Sequence, residues 1–212
     1  FRNVNIALAN EMAILCKRMN IDIWEVIDAA KTKPYGFMPF YPGPGLGGHC
    51  IPLDPFYLEW KAKEFDYHTK LIEASGIIND YMPEFVLENV MKLLNGQKKA
   101  LNGAKVLLMG AAYKKDIDDM RESPTLKVID QLEKNGADII INDPFIPKFI
   151  HKGKEYITIN WEEEIKNADI VIITTDHSGY DYEKIVAEAS LLYDTRNATK
   201  HVVNNREKIN KL

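Results

Sequence analysis

Apolar residues recur every three or four positions along the first hundred residues, and this period predicts amphipathic helices. The helical stretches are residues 1–19, 23–30, 56–65 and 68–94. Asp22 precedes the second stretch as an N-cap, with Glu25 three residues later. The spacing predicts one buried face on the first helix, made of Ile6, Met12, Ala13, Leu15, Cys16 and Met19.

The stretch 68–94 is the longest of the predicted helices. Its apolar stripe consists of Leu71, Ile72, Ile78, Met82, Val86, Val90 and Leu94. Pro83 predicts a kink or a division of this helix, because proline removes a backbone donor and its ring clashes with the preceding turn. The stripe has no obvious partner within a small domain, so we predict a homodimer through these central helices. Burial of the stripe within its own domain is the alternative.

From residue 100 the pattern changes to short apolar runs that alternate with helical periods. Residues 105–109, 138–141, 170–174 and 191–193 are predicted strands, and residues 124–135, 161–166 and 182–189 are predicted helices. This alternation is typical of a parallel α/β sheet with right-handed crossovers. We therefore predict a helical region at 1–99 and a sheet domain at 100–212.

Composition restricts the class of protein. Of the 212 residues, 46% are hydrophobic and 27% charged, which is typical of globular domains and excludes a fibrous or disordered chain. The net charge of −4 argues against broad binding to nucleic acid or to an anionic membrane surface. No apolar run approaches the ~20 residues that a membrane-spanning helix needs. Two cysteines make no disulfide framework, which predicts a reducing, cytoplasmic setting.

Residues 34–55 contain eleven glycines and prolines, too many for a helix or a strand, and predict a long structured loop. Glycines let backbone N–H groups approach an anion, and Cys50 follows them directly. Cys50 lies next to His49 and four residues before Asp54, a pattern that favours a thiolate nucleophile. A buried structural cysteine is the alternative.

His49 is expected to be structural, because adjacent side chains rarely face each other. The spacing of His49, Cys50 and Asp54 matches no metal motif, so we predict no metal site.

A second polar group follows the strand 105–109, where ligands of parallel sheets collect. Gly110 permits a tight turn, Arg121 offers a guanidinium fork to a phosphate, and Ser123 begins a helix whose N-terminus attracts anions. The GxGxxG fingerprint is absent, which favours a mononucleotide group over a dinucleotide. The nearby charges are predicted to be solvated surface, namely Lys115, Asp116, Asp118 and Asp119.

Four segments together carry a family resemblance: NVNIALANE at 3–11, FYPGPGLGGHCIPLDP at 40–55, YKKD at 113–116 and MRESP at 120–124. They resemble the UDP-glucose/GDP-mannose dehydrogenase family, and the second is most similar to its UDP-N-acetylglucosamine or UDP-N-acetylmannosamine 6-dehydrogenase branch. The resemblance implies a helical dimerisation region followed by a Rossmann-like UDP-sugar-binding domain. It also implies NAD as cofactor, held by an N-terminal domain, so the chain is expected to be a fragment that is inactive alone.

The resemblance implies a role for several residues. Cys50 would attack the C6 aldehyde and carry the thiohemiacetal and thioester, while Asp54 would act on the hydrolytic water. The implied substrate-binding residues are Tyr41, Gly43, Gly45, Gly47, Tyr113 and Lys114. Arg121 would reach the NAD pyrophosphate. Leu53 stands where many UDP-glucose enzymes of the family have Lys, and Arg196, in a looser motif match, receives no role.

The sequence leaves other functions open. UDP-glucose 6-dehydrogenase is one alternative, because recognition of the N-acetyl group depends on pocket shape. A non-catalytic nucleotide-binding or assembly module with a structural Cys50 is another, and a thiol hydrolase is a weaker third.

Overall fold

The computed structural model describes residues 1–212. Its helices are α1 (Arg2–Arg18), α2 (Ile23–Ala30), α3 (Asp54–Ala62), α4 (Lys70–Gly96), α5 (Pro124–Lys134), α6 (Trp161–Glu164) and α7 (Tyr182–Glu188). Its strands are β1 (Lys105–Met109), β2 (Asp138–Asn142), β3 (Lys148–His151), β4 (Lys154–Ile157), β5 (Ile170–Ile173), β6 (Leu192–Asp194) and β7 (Ile209–Lys211). None of the helices is long and apolar enough to span a lipid bilayer.

Five strands form one parallel sheet in the order β2-β1-β5-β6-β7. This confirms the predicted α/β class. The edge strand β7 and the antiparallel hairpin of β3 and β4 were not predicted. The hairpin turns through Lys152 and Gly153, both at positive φ. Its two strands have only four residues each and a largely polar sequence, so the sequence pattern does not indicate them.

Two apolar clusters cover opposite faces of the sheet. One joins β1 and α5 to the second half of α4, where Met82, Val86, Val90 and Leu94 are fully buried. The first half of α4 differs, since Leu71 is 74% exposed. The prediction of an exposed stripe is therefore wrong for the second half of α4, which belongs to the core of the sheet. The division at residue 100 stays a prediction.

Helix α4 continues through Pro83 without interruption, so the predicted division is wrong. A proline removes a single helical hydrogen bond, and the burial of Met82, Phe85 and Val86 around it stabilises the helix on both sides.

The buried face of α1 also differs from the predicted one. Ala13 and Cys16 are buried as predicted, but Leu15 is 46% and Met19 58% exposed. The face that contacts α4 instead contains small and polar residues, namely Asn3, Ala7 and Asn10. Close packing of two helices favours small residues at the contact, which hydrophobic periodicity does not reveal. Asp22 caps α2 as predicted, by accepting the N–H of Trp24 at 2.9 Å.

Candidate active site

The glycine-rich loop between α2 and α3 lies across the carboxyl edge of the parallel sheet. A Cβ atom added to Gly47 would lie 2.4 Å from the Cβ of Tyr113, in the turn after β1. A Cβ added to Gly43 would lie 2.6 Å from Nη1 of Arg196, in the turn after β6. The cysteine loop and the polar group after β1, which the sequence predicts as separate candidates, therefore share one site. Arg196 also belongs to this site.

Two glycines of the loop are needed for their backbone conformation. Gly45 has φ +138° and a Cβ there would lie 3.0 Å from Pro124, the first residue of α5. Gly48 has φ +86° and donates its N–H to the carbonyl of Arg121 at 2.9 Å. A larger residue at either position would be strained in φ and would collide with the sheet edge.

Cys50 ends the glycine segment with an exposed side chain. Its Sγ lies 4.0 Å from Nδ1 of His49, so the expectation that these neighbours face apart is wrong. The carbonyl of Cys50 accepts the N–H of Asp54 at 3.0 Å, which places the thiol one turn ahead of α3. Asp54 is the first residue of that helix and is exposed. The exposed thiol does not fit a buried structural cysteine.

The predicted substrate-binding side chains have different surroundings. Tyr113 is half-buried against the loop, and Lys114 beside it is exposed. Tyr41 is half-exposed and stacks on Trp24 of α2, with ring centroids 6.1 Å apart and planes at 17°. The backbone N–H of Gly43 donates to Asn10 Oδ1 at 3.0 Å. The N–H groups of Gly45 and Gly47 find no acceptor in the chain.

Arg121 forms an ion pair with Asp119. Its Nη2 donates to Asp119 Oδ2 at 2.7 Å and its Nε to Oδ1 at 3.1 Å. This hydrogen bonding lowers the pKa of Asp119 and raises that of Arg121. The guanidinium remains exposed.

The predicted solvated charges are partly structural, which corrects the prediction made from the sequence. Asp116 accepts the N–H and the hydroxyl of Ser178, at 2.8 and 2.7 Å. The carbonyl of Asp119 accepts the N–H of Tyr113 at 3.0 Å. The contact with Ser178 joins the turn after β1 to the turn after β5, and the bond from Tyr113 to Asp119 closes the turn after β1 on itself. Lys115 and Asp118 are exposed as predicted.

A buried carboxylate closes the turn after β1. Asp143, directly after β2, accepts the N–H groups of Ala111 at 2.7 Å and Ala112 at 2.9 Å, and lies 3.0 Å from Nε2 of His177. Burial by itself raises the pKa of Asp143, but these hydrogen bonds outweigh it and the pKa is lowered. His177 Nδ1 accepts the N–H of Asp116 at 2.9 Å, so Nε2 carries the proton donated to Asp143.

This arrangement decides what the turn can bind. In a dinucleotide-binding sheet, the N–H groups after the first strand face the pyrophosphate. Here the carboxylate of Asp143 takes the N–H groups of Ala111 and Ala112. The turn therefore does not fit NAD, in agreement with the missing glycine fingerprint. The only sequence signal for the bonds between Asp143 and this turn is the polar segment Asn142-Asp143-Pro144 at the end of a strand.

A second buried carboxylate shapes the turn after β6. Asp194 accepts the N–H groups of Arg196 at 3.0 Å and Thr199 at 2.8 Å. The turn directs Arg196 towards Gly43, and its Nε lies 3.7 Å from the carboxylate of Asp176. Arg196 therefore contributes positive charge beside the glycine loop.

The fold and the site together define a Rossmann-like α/β protein with an exposed cysteine at the carboxyl edge of its sheet. The central domain of the UDP-glucose/GDP-mannose dehydrogenase family matches residues 1–81, and the UDP binding domain of the same family matches residues 107–201. The chain belongs to this family, which confirms the resemblance found in the sequence.

Two similar proteins illustrate the range of relatives. The UDP-N-acetyl-D-mannosamine dehydrogenase of Methanocaldococcus jannaschii is 37% identical over 205 residues, which are 93% of this chain and 44% of the relative. The UDP-N-acetyl-D-glucosamine 6-dehydrogenase of Pseudomonas aeruginosa is 39% identical over 145 residues, 68% of this chain and 34% of the relative.

A solved structure of UDP-D-ManNAc dehydrogenase from Pyrococcus horikoshii superimposes with a TM-score of 0.84 at 30% identity. The match covers 100% of this chain and 49% of that one. The chain thus spans about half the length of the relatives that it matches.

Proposed function

We propose that this chain supplies the UDP-sugar site and the cysteine nucleophile of an NAD-dependent dehydrogenase. The proposed reaction oxidises the C6 alcohol of a UDP-N-acetylhexosamine to the carboxylate. The observation that carries this proposal is the exposed Cys50 at the end of a glycine loop packed on the carboxyl edge of the sheet. The names of the relatives support the N-acetylhexosamine class.

Cys50 acts as the covalent nucleophile in this proposal. Its thiolate attacks the C6 aldehyde, a carbon–sulfur bond forms, and the carbonyl oxygen takes up a proton to give a thiohemiacetal. At the thioester stage, Asp54 takes one proton from the attacking water, the carbon–sulfur bond breaks to release the thiolate, and the carboxylic acid so formed loses its proton to solvent to give the carboxylate. The side chains of Cys50 and Asp54 are both exposed, and the two residues lie within one backbone turn, which is consistent with these roles.

The diphosphate of the substrate is proposed to lie between the loop and the sheet edge. The free N–H groups of Gly45 and Gly47 offer donors to an anion, and Lys114 provides an exposed ammonium group. Gly43 acts through its lack of a side chain, because its N–H is already taken by Asn10. Tyr41 and Tyr113 are proposed to contact the sugar and the nucleotide.

One hydride leaves C6 when the alcohol becomes the aldehyde and a second when the thiohemiacetal becomes the thioester, and NAD, when bound, would supply the oxidising power by accepting a hydride in each oxidation. The turn after β1 does not fit it, so the proposed contact from this chain is limited to Arg121. The guanidinium of Arg121 is exposed. The backbone carbonyl of Arg121 accepts the N–H of Gly48, so this residue lies beside the cysteine loop. Nε and Nη2 of Arg121 donate to Asp119, so Nη1 is the guanidinium nitrogen left to donate to a pyrophosphate oxygen.

A homodimer is proposed through the central helices. Exposed Leu15 of α1 lines a groove with Ile77, Ile78 and Tyr81 of α4. Apolar surface of this kind is typical of a subunit contact.

A cytoplasmic location is proposed because Cys16 and Cys50 are both free thiols.

Calorimetric titration of the chain with UDP, UDP-N-acetylglucosamine and NAD tests the binding part of the proposal. We expect the UDP compounds to bind and NAD to bind weakly or not at all. Gly47→Ala should weaken UDP-sugar binding at least about tenfold, because its methyl group would push the loop away from Tyr113. Gly179→Ala is the matched control, since a Cβ there meets nothing within 4 Å. Absent UDP binding, or tight NAD binding, would contradict the proposal.

A further inference from the structure

Four polar side chains are buried between α1 and α4, next to the cysteine loop. Asn10 is 0% exposed, and Asn3, Ser75 and Asn79 are 3–4% exposed. Buried amides and hydroxyls are unfavourable unless each finds a hydrogen-bond partner. All four are bonded, so they form a built network.

The network has a defined direction. Asn10 Oδ1 accepts from a backbone N–H, so its Nδ2 faces Asn79 and donates to Oδ1 at 2.9 Å. Asn79 Nδ2 then donates to the carbonyl of Asn3 at 3.3 Å. The single proton of the Ser75 hydroxyl is shared between Asn3 Oδ1 and the carbonyl of Ile72, one turn earlier in α4, which lies 2.7 Å away. One orientation of each amide satisfies every bond in this chain of contacts.

Both ends of the network leave the helix pair and reach the cysteine loop. Asn10 Oδ1 accepts the N–H of Gly43 at 3.0 Å, at the start of the glycine segment. Asn3 Nδ2 donates to the carbonyl of Ile51 at 3.1 Å, directly after Cys50. The two asparagines therefore hold the two ends of the segment that carries the thiol.

The loop has little else to hold it by hydrogen bonding. Residues 34–53 have no regular secondary structure, and only three hydrogen bonds tie them to segments distant in sequence. Asn3 and Asn10 make two of the three, and the third is the bond from Gly48 to Arg121. A thiol that must meet one carbon atom needs such a support, because errors of about 1 Å reduce reactivity strongly.

We infer that Asn3 and Asn10, cross-linked through Asn79 and braced by Ser75, are positioning residues for Cys50. They act through the loop rather than on substrate, and they set the place of the thiol relative to the C6 carbon of a UDP-sugar. This inference rests on the proposed function, because it assumes that Cys50 meets the sugar.

The test is the alkylation of Cys50 by iodoacetamide, with and without UDP-N-acetylglucosamine, followed by peptide mass spectrometry. The chain offers an internal control, because Cys16 is buried in α1 and reacts only if the protein unfolds. In the unsubstituted chain we expect UDP-N-acetylglucosamine to slow the alkylation of Cys50. In Asn10→Ala we expect this protection to fall about tenfold while Cys16 stays unreactive.

Asn89→Ala is the matched control variant. Like Asn10 of α1, Asn89 of α4 is a buried asparagine. Its Nδ2 donates to the carbonyl of Phe85 in its own helix and not to the loop. It loses a buried amide of the same kind without touching the loop, so we expect protection to stay within about twofold of the unsubstituted chain. A purely structural role for Asn10 would give the two variants the same result.

The outcomes separate the two levels of the proposal. Protection in the unsubstituted chain that is retained in Asn10→Ala overturns the inference and leaves the proposed function in place. No protection in the unsubstituted chain contradicts the proposed function, and the inference with it. If Asn10→Ala exposes Cys16, Ser75→Ala provides the second test, because it removes the hydroxyl that contacts Asn3, and its other contact, the carbonyl of Ile72, lies in the same helix. About threefold loss of protection is then expected, and unchanged protection overturns the inference.

Discussion

At the scale of single residues, buried carboxylates organise the ligand edge of the sheet. Asp143 takes the backbone donors that follow β1, and Asp194 takes those that follow β6. Each has hydrogen-bond donors around both oxygens, which compensates the loss of water around a buried carboxylate. These carboxylates therefore close both turns, and the glycine loop keeps free donors at the N–H groups of Gly45 and Gly47.

We expect Asp143→Asn to destabilise the chain by about 3 kcal/mol at pH 7, because an amide NH₂ would face donors that need an acceptor. The folded pKa of Asp143 lies below the ordinary value of 3.8, so its stabilising contribution is complete above that pH. The contribution is lost as the pH falls through the lowered folded value. The difference in unfolding free energy between the two proteins should therefore narrow below about pH 4.

Urea denaturation at pH 7 and at pH 3 measures this difference. Asp138→Asn is the control, because that exposed carboxylate makes no side-chain hydrogen bond, and its stability should match the unsubstituted chain. An equal loss at both pH values would show that Asp143 stabilises by packing and not by charge.

At the scale of elements, the two halves of α4 share one amphipathic pattern but have different surroundings. Its second half packs on β1 and α5, while its first half packs on α1 and leaves Leu71 and Ile77 exposed. The helix is therefore the rigid connection between the cysteine loop and the sheet. The asparagine network in its first half joins the loop to the same helix.

Leu94→Ala and Leu71→Ala test this division with the same substitution on one helix. Leu94 is fully buried, so its truncation should cost about 3 kcal/mol in unfolding free energy. Leu71 is 74% exposed, so its truncation should change the stability by less than about 0.5 kcal/mol. Thermal or urea unfolding measures both, and similar costs at the two sites would contradict the division of α4 into a buried and an exposed half.

At the scale of the whole molecule, the exposed apolar residues of α1 and α4 predict association. Leu15→Glu places a charge in the groove with Ile77 and Tyr81, so we expect a dimer to become a monomer in sedimentation velocity. Leu58→Glu is the control, because Leu58 is also exposed but lies on α3. A monomeric unsubstituted chain, or a dimer that tolerates Leu15→Glu, would contradict a contact through this groove.

Much of the fold could be predicted because its signals are local. The caps at Asp22 and Ser123 and the apolar runs of β1 and β5 depend on neighbours within a few residues. The same holds for the dense glycines that precede Cys50, which are sufficient to indicate the candidate site. Short elements with polar sequences, such as the hairpin of β3 and β4, carry too weak a local signal.

Contiguous residues were enough to establish the helical first part, the parallel sheet, the family and the cysteine loop, because periodicity, capping and motif spacing are local properties. Tertiary packing was needed to bury Asn3 and Asn10 beneath the loop, to close the turn after β1 with Asp143, and to place half of the α4 stripe in the core. Each of these depends on groups distant along the chain, such as Asn10 with Gly43 or Asp143 with Ala111. A polar residue on a helix or after a strand has the same local pattern whether it faces water or a buried partner, and packing alone selects between them.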